Sequence, residues 1–262
     1  MQAFALPLSA GFTWIRDGWR LFRLQPITFL SWGMFLSLVL KAASAIPPIG
    51  PILFVIFLPA INLMTLTACK EESAGNRMQL GMWFAPLRQP GVLKRMVGMG
   101  ALYFAICLLV GLVALLPFMN DLAVAVDLST EAKDITPLLS AIRGPLIVFA
   151  CLYILVASFF WYAPTLAGWH SISLLQSLFF SFVACWRNKL AFIVYGLLWL
   201  GIFLGIDLIT GLMLSAGVSE TVAWALQMPL NIIGVSVLYC SFYPNYVSVF
   251  FNAYYQSDSL AK

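Results

Sequence analysis

Residue types able to carry catalysis are scarce in this chain of 262 residues. Its single histidine, His170, excludes the His-Glu-x-x-His motif and every metal site that needs several histidines. Serines are frequent, but no Gly-x-Ser-x-Gly motif occurs. Because the chain has one histidine, only His170 could act as the histidine base for a serine nucleophile. It lies at the end of a predicted span, where we expect an interfacial hydrogen bond instead. We therefore expect no enzyme, no metal site and no cofactor.

The five cysteines are scattered without any Cys-x-x-Cys pair, and each lies in or beside a predicted span. This pattern is typical of small apolar packing residues and not of a disulfide framework or a metal site. They are Cys69, Cys107, Cys151, Cys185 and Cys240.

Two charged residues, Lys41 and Asp207, form a candidate intramembrane polar pair. Arg20 and Arg187 stand at equivalent junctions before the first and fifth spans. Lys41 follows Arg20 by 21 positions and Asp207 follows Arg187 by 20, so the two charges should have nearly equal depth in these spans. A lone Lys or Asp at mid-span costs about 2.5–3.5 kcal/mol, which favours mutual neutralisation. Alternatively, Lys41 extends to the nearby surface while Asp207 is hydrated or protonated. A formed pair could be a structural tie or part of a substrate site.

The composition requires the helices that carry these residues to lie in lipid. Hydrophobic residues make up 62% of the chain and charged residues only 9%, against about 25% charged in soluble domains. Such a chain cannot cover a core with polar surface, which excludes a water-soluble domain. Runs without charge that are long enough to cross about 30 Å of hydrocarbon predict six helices. They lie at about 27–46, 48–68, 96–119, 145–167, 190–214 and 222–250.

Basic residues predict the orientation. Eleven Lys and Arg fall on one side of the predicted spans, and only Lys133 and Arg143 fall on the other. The side rich in Lys and Arg is normally cytoplasmic, so both termini should be cytoplasmic and the acidic loop 120–143 should lie outside. We expect these cations to meet anionic lipid headgroups and not nucleic acid. The interfacial basic residues are Arg16, Arg20, Arg23, Arg88, Arg187 and Lys189.

Segments 8–24 and 171–186 have the period of amphipathic helices. Their length is marginal for a span, so we expect both to lie along the cytoplasmic surface. A shorter version precedes the third span. The apolar positions are Leu8, Phe12, Ile15, Trp19 and Phe22; Met78, Leu80, Trp83 and Leu87; and Ile172, Leu175, Phe179, Phe182 and Trp186. Arg16, Asp17, Arg20 and Arg23 occupy other faces of the first segment, and Ser173, Gln176, Ser177 and Ser181 form a weakly polar face of the last.

Prolines mark where spans should turn or end. The Pro47-Pro48 pair predicts a tight reversal between the first two spans. Pro244 is expected to kink the last span or to end its buried part, which would leave the aromatic residues from Tyr246 to Tyr255 near the headgroups.

Similar junctions suggest three repeated units, at about 8–68, 76–168 and 171–252. The expected fold class is therefore an all-α integral membrane protein in a single membrane domain, 1–262. Its six transmembrane helices form three helical-hairpin repeats, each preceded by an interfacial amphipathic helix. Each even-numbered span places aromatic residues just before a proline: Phe57-Leu58-Pro59, Trp161-Tyr162-Ala163-Pro164 and Phe242-Tyr243-Pro244.

One part of the chain, about 161–200, resembles known bacterial families. The passage Trp161-Tyr162-Ala163-Pro164, followed by Ser173-Leu174-Leu175-Gln176-Ser177 and Cys185-Trp186-Arg187-Asn188-Lys189, is similar to the signature of YciC-like inner-membrane proteins with six spans. It also resembles relatives of the membrane domain attached to some glycerophosphodiester phosphodiesterases. The rest of the chain matches only in layout. These families have no agreed biochemical activity, so the resemblance implies an inner-membrane fold and no catalytic residues.

Two classes of function stay open. The first is a non-catalytic membrane protein that organises or binds lipid or partner membrane proteins, which the interfacial helices and the scarcity of chemistry favour. The second is a carrier for a lipid-like or small solute that uses the region of Lys41 and Asp207. The expected partners are membrane lipid, other membrane proteins or a second copy of the chain.

Overall fold

The computed structural model describes residues 2–77, 80–132 and 134–251. Within these ranges the chain is helical, with 3₁₀ turns at Ala85–Arg88 and Leu116–Phe118. The α-helices are α1 (Ala10–Leu24), α2 (Pro26–Ser44), α3 (Ile49–Ser73), α4 (Leu80–Trp83), α5 (Val92–Leu115), α6 (Met119–Ala132), α7 (Thr136–Ala141), α8 (Arg143–Phe160), α9 (Ala163–Trp169), α10 (Leu174–Arg187), α11 (Lys189–Ser215) and α12 (Glu220–Phe251).

Six helical stretches in the described part of the chain are long and apolar enough to cross a membrane. This number confirms the sequence prediction, which rested on charge-free runs of sufficient length. The stretches are Pro26–Ser44, Ile49–Ser73, Val92–Thr130, Thr136–Trp169, Lys189–Ser215 and Glu220–Phe251.

The third and fourth stretches extend beyond their predicted ends. α5 passes through the 3₁₀ turn Leu116–Phe118 into α6, which gives a stretch of 39 residues. Pro117 lies at the start of that turn, where a missing backbone N–H costs little. The segment 120–143 was expected to be a loop, but its described residues are mostly helical, with α6 packed on α7. Lys133 lies outside the described residues.

Consecutive spans pack on each other in pairs: α2 with α3, α5 with α8, and α11 with α12. The first reversal occupies residues 45–48, between Ser44 and Ile49, as the Pro47-Pro48 pair predicts. α3 packs on α5 and so joins the first two pairs. The helices approach closely at Gly100, where a Cβ atom would overlap the carbonyl oxygen of Ile56. The equivalence of the three pairs as repeated units stays a prediction.

The buried residues concentrate at one end of the bundle. α1, α9 and α10 lie at that end, and the halves of the spans next to them are called here the proximal half. It contains the N-terminal halves of α2, α5 and α11 and the C-terminal halves of α3, α8 and α12, which carry most of the buried span residues. The opposite halves form the distal half, where most apolar span residues are exposed at the protein surface.

α1 packs across α11 and α12 in the proximal half. A Cβ atom at Gly18 would lie 2.6 Å from Cα of Ser241 in α12, so only glycine permits this approach. Trp14 is 1% exposed, and its indole N–H donates to Oγ of Ser248 at 2.7 Å. Of the predicted apolar stripe, Leu8, Phe12 and Trp19 are exposed, Ile15 is half-buried and Phe22 is buried.

Pro244 does not end the buried part of α12, whereas a position of the following aromatic residues near the headgroups stays a prediction. α12 continues through Pro244 to Phe251, and Tyr246 is completely buried. The reason is that neighbouring elements cover this end of α12, with the Trp169 ring 5.2 Å from the Tyr246 ring and with α1 on another side. Residues 252–262, which include Tyr254 and Tyr255, lie outside the described residues.

α10 forms where the sequence predicts a helix, and a capping box between Ser173 and Gln176 starts it. Its serine face points inward: Ser177 and Ser181 are fully buried, and the Ser181 hydroxyl donates to the carbonyl oxygen of Ser158 at 2.8 Å. Its apolar face is the exposed one. Leu175, Phe179 and Trp186 are 75%, 60% and 56% exposed. The short segment before α5 forms only α4 and the turn Ala85–Arg88, and Met78 lies outside the described residues.

Candidate functional site

The expected ion pair between Lys41 and Asp207 is not formed among the described residues. Asp207 instead accepts a hydrogen bond from Nε2 of Gln227 in α12, at 2.6 Å. An amide supplies an N–H to the carboxylate without bringing a second charge into the membrane, which makes it a suitable partner there. Lys41 and Asp207 are both exposed at the protein surface.

Lys41 lines a groove between α2 and α12 that has a volume of about 540 Å³. Gln227 lines the same groove, so this amide lies between the two charged residues that the sequence singled out. Asp207 is not part of the lining. The remaining walls are mostly apolar and include Met34, Leu38, Trp224 and Met228. The groove, called here the Lys41 groove, belongs to the distal half.

Gln227 is the residue that sequence reasoning missed. It is 8% exposed, and its Oε1 is buried with no hydrogen-bond partner in the described part of the chain. A search restricted to opposite charges could not find it. The available signal was the position of an amide inside the apolar run of the last predicted span, because polar residues in spans usually face protein or a cavity.

A second cavity, called here the aromatic cavity, lies among α3, α5, α8 and α12 and has a volume of about 310 Å³. No charged residue lines it. Its polar groups are Asn62, whose Oδ1 is buried without a hydrogen-bond partner in the described chain, and several tyrosines. The hydroxyl groups of Tyr103 and Tyr153 lie 2.7 Å apart. Phe160, Trp161 and Phe242 contribute apolar walls.

The interfacial basic residues have three kinds of environment. In α1, Nε of Arg16 lies 3.1 Å and Nη1 of Arg20 lies 3.3 Å from Oδ1 of Asp17. Asp17, expected away from the apolar face, is only 4% exposed, because that side of α1 packs on the spans. Lys189 lies over the Trp186 ring, with Nζ 4.6 Å from its centroid. Arg23, Arg88 and Arg187 are exposed.

Asn188, at the start of α11, is hydrogen-bonded to the N-terminal segment. Its Oδ1 accepts from the backbone N–H of Leu6 at 2.9 Å, and its Nδ2 donates to the carbonyl oxygen of Phe4 at 2.9 Å. Asn188 is 1% exposed. The backbone N–H of Phe4 also donates to the carbonyl oxygen of Val249, which ties the segment to α12. This arrangement stabilises the proximal half and leaves Asn188 no free group for chemistry.

His170 and the cysteines take structural positions. Nε2 of His170 lies 2.7 Å from the hydroxyl of Tyr246, in agreement with the expected hydrogen-bonding role. Burial, with a smaller effect from the nearby charge of Lys70, lowers the pKa of His170 below its usual value. All five cysteines are free; Cys69, Cys185 and Cys240 are buried, Cys107 is partly buried and Cys151 is exposed.

Comparison with known proteins gives a relative along nearly the whole chain. A probable inner membrane protein of Burkholderia thailandensis is 32% identical over 257 residues, which cover 95% of this chain and 94% of the relative. No protein-family model matches the chain, so the likeness to YciC-like proteins and to the phosphodiesterase-associated domain stays a prediction. No solved structure matches it. With six candidate spans and this relative, the chain belongs to a family of multi-pass helical membrane proteins that includes the probable inner membrane protein of Burkholderia thailandensis.

Proposed function

We propose that the protein is a non-catalytic inner-membrane protein that binds membrane lipid, and that an anionic lipid occupies the Lys41 groove. The observation that carries this proposal is the exposed cation of Lys41 at the edge of a mostly apolar groove within the candidate spans. A lipid with a phosphate and acyl chains matches both features. The phosphate would neutralise Lys41, and the chains would lie along apolar walls such as Leu38 and Met228.

The neighbouring acid, Asp207, does not line this groove, and its Oδ1 accepts a hydrogen bond from Gln227. Lys41 is therefore the charged residue of the lining. The neutral polar groups of the groove include the Ser37 hydroxyl and the Asn231 amide, which can form hydrogen bonds with a headgroup hydroxyl, as in a glycerol headgroup. The groove therefore offers one cation and several neutral hydrogen-bonding groups, which together favour a hydroxylated anionic headgroup such as that of phosphatidylglycerol.

The exposed apolar faces of α1 and α10 support attachment to a lipid surface. These helices have 15 and 14 residues, fewer than the roughly 20 that a span needs. Phe12, Phe179 and Trp186 are all more than half exposed. Such faces suit helices that lie in the membrane interface, where basic residues such as Arg187 would meet headgroups.

The test measures the lipid retained by the purified full chain. Protein in mixed micelles is exchanged against equal amounts of phosphatidylglycerol and phosphatidylcholine, and the bound lipid is identified by native mass spectrometry. We expect preferential retention of phosphatidylglycerol. The change Lys41→Met should lower that preference about fivefold, since a basic residue contributes about 1 kcal/mol to the attraction of anionic lipid. Lys94→Met, which removes an exposed cation elsewhere, is the matched control.

A carrier for a lipid-like or small solute is the second candidate, because the Lys41 groove lies in the more open distal half. Reconstituted liposomes separate the two functions. Retained lipid without flux supports lipid binding. Saturable flux that Lys41→Met abolishes would instead show that the protein is a carrier. Equal retention of both lipids by the unaltered chain and by Lys41→Met would overturn the proposed site.

A further inference from the structure

We propose that the aromatic cavity binds a neutral lipid with a free hydroxyl group, of the diacylglycerol type. This site is separate from the Lys41 groove: the two share α12 but no lining residue. The volume of about 310 Å³ lies at the lower end of the roughly 300–1,000 Å³ of small-molecule sites. It accommodates a glycerol backbone with the first part of its chains.

The lining has no charged residue, and this determines the chemical class of the lipid that the cavity can bind. A phosphate that entered this cavity would lose its hydration and meet no cation there, and burying an unpaired charge costs several kcal/mol. A hydroxyl costs far less when a partner is present. The walls therefore select against phospholipid headgroups and admit a neutral lipid.

The polar groups match a hydroxyl donor. Oδ1 of Asn62 is buried and accepts no hydrogen bond from the described residues, although buried polar atoms are normally paired. Asn62 is half-buried and lines the cavity, and a rotation of its side chain would turn Oδ1 toward a lipid hydroxyl, the donor that this amide lacks. The Tyr103 and Tyr153 hydroxyls, 2.7 Å apart, come from two different spans and provide a further donor and acceptor for ester oxygens.

Access to the cavity is from the side of the bundle. Tyr153 in α8 is 36% exposed, and its hydroxyl contacts Tyr103 of α5. The hydroxyl pair therefore lies where the cavity meets the outside of these two spans. A lipid can therefore enter there from the membrane, between α5 and α8.

The experiment uses the full chain in lipid nanodiscs and two photoactivatable probes with identical acyl chains. One probe is a diacylglycerol, and the other is the corresponding phosphatidic acid, which differs only by the phosphate. Labelled peptides are identified by mass spectrometry. We expect the diacylglycerol probe to label the lining segments of α3 and α8 at least fivefold more than phosphatidic acid does, since the buried phosphate would lack a cation.

Variants test the named groups. Asn62→Leu should lower diacylglycerol labelling about fivefold through the loss of one hydrogen bond. The double change Tyr103→Phe with Tyr153→Phe keeps the rings and should lower labelling by a similar factor, which covers the case that Asn62→Leu fails to fold. Asn231→Leu, an amide change in the Lys41 groove, is the control that should leave labelling unchanged.

The results distinguish this proposal from the lipid site of the Lys41 groove. Lys41→Met should leave diacylglycerol labelling unchanged even where it removes phosphatidylglycerol preference. Equal labelling by both probes would show an unselective acyl-chain cleft and overturn the proposal. Full labelling of a folded Asn62→Leu variant together with full labelling of the double tyrosine variant would overturn it as well.

Discussion

The proximal and distal halves of the bundle are held together by different interactions. In the proximal half, Trp14, Tyr162 and Tyr246 are at most 2% exposed, and Trp14 is hydrogen-bonded to another element. In the distal half, Leu208 and Leu212 are 64% and 60% exposed. Apolar contact between helices gains little when lipid is the alternative neighbour. Close packing of small residues and hydrogen-bonded aromatic side chains therefore define the bundle at one end.

This difference explains where the Lys41 groove lies. A groove persists where neighbouring spans are not joined by dense packing, and the distal half provides such a place between α2 and α12. The hydrogen bond between Asp207 and Gln227 joins α11 to α12 there. Dense packing is therefore concentrated in the proximal half, and the distal half presents more apolar side chains to lipid.

The largest expected effect is in a test of membrane topology, because a fused reporter is active on one side of the membrane and inactive on the other. If the proximal half is the cytoplasmic one, alkaline phosphatase fused after Thr130 should be active and fused after the C-terminus should be inactive. A fluorescent reporter that needs the cytoplasm should give the reverse pattern. The reason is the concentration of Lys and Arg in the predicted cytoplasmic connections. A fusion after Ser73, at the proximal end of α3, is the control and should match the C-terminus; identical signals at Thr130 and the C-terminus would contradict the prediction.

The next largest effect is expected from overpacking the proximal half. Gly18→Leu places side-chain atoms where the backbone of Ser241 already lies, since even a Cβ would come within 2.6 Å. We expect the free energy of unfolding to fall by about 3 kcal/mol, the upper range for overpacking, because backbone cannot move as easily as a side chain. Titration with a denaturing detergent in mixed micelles measures this change.

Gly205→Leu is the matched control for that experiment. Gly205 lies in α11 in the distal half, and a Cβ there would meet no other atom within 4 Å. The same substitution should therefore change stability little. If both variants lost the same stability, the two halves would be equally constrained and the comparison would be wrong.

The sequence predicts the spans well and the inward faces poorly. Hydropathy identifies the six spans because a span needs only a sufficiently long run of apolar residues to cross the hydrocarbon. It does not indicate which side of α10 faces protein: the weakly polar Ser177 and Ser181 are buried, while the apolar Phe179 is exposed. In water the apolar face would be the buried one. Beside lipid, small polar residues can mark the helix contact instead.

The candidate site shows the same limit for charged residues. The positions of Lys41 and Asp207 follow from the sequence, and so does the cost of leaving either alone in the membrane. Their partners depend on rotation of each helix about its axis, which hydropathy does not determine. Rotation of α12 brings Gln227 to Asp207, and the position of Asn62 beside the aromatic cavity is likewise set by packing.

The smallest expected effect concerns the tie between α11 and α12 in the distal half. Gln227→Leu removes the donor to Asp207 and should lower the free energy of unfolding by about 1 kcal/mol, since hydrogen bonds between membrane helices contribute about 0.6–1.7 kcal/mol. The double change Gln227→Leu with Asp207→Leu should recover most of this loss, because no unpaired carboxylate remains. Asn231→Leu is the control amide on the same helix. If Lys41→Met destabilised the protein while Gln227→Leu did not, an ion pair between Lys41 and Asp207 would form in the membrane. That ion pair, and not the hydrogen bond from Gln227, would then stabilise the distal half.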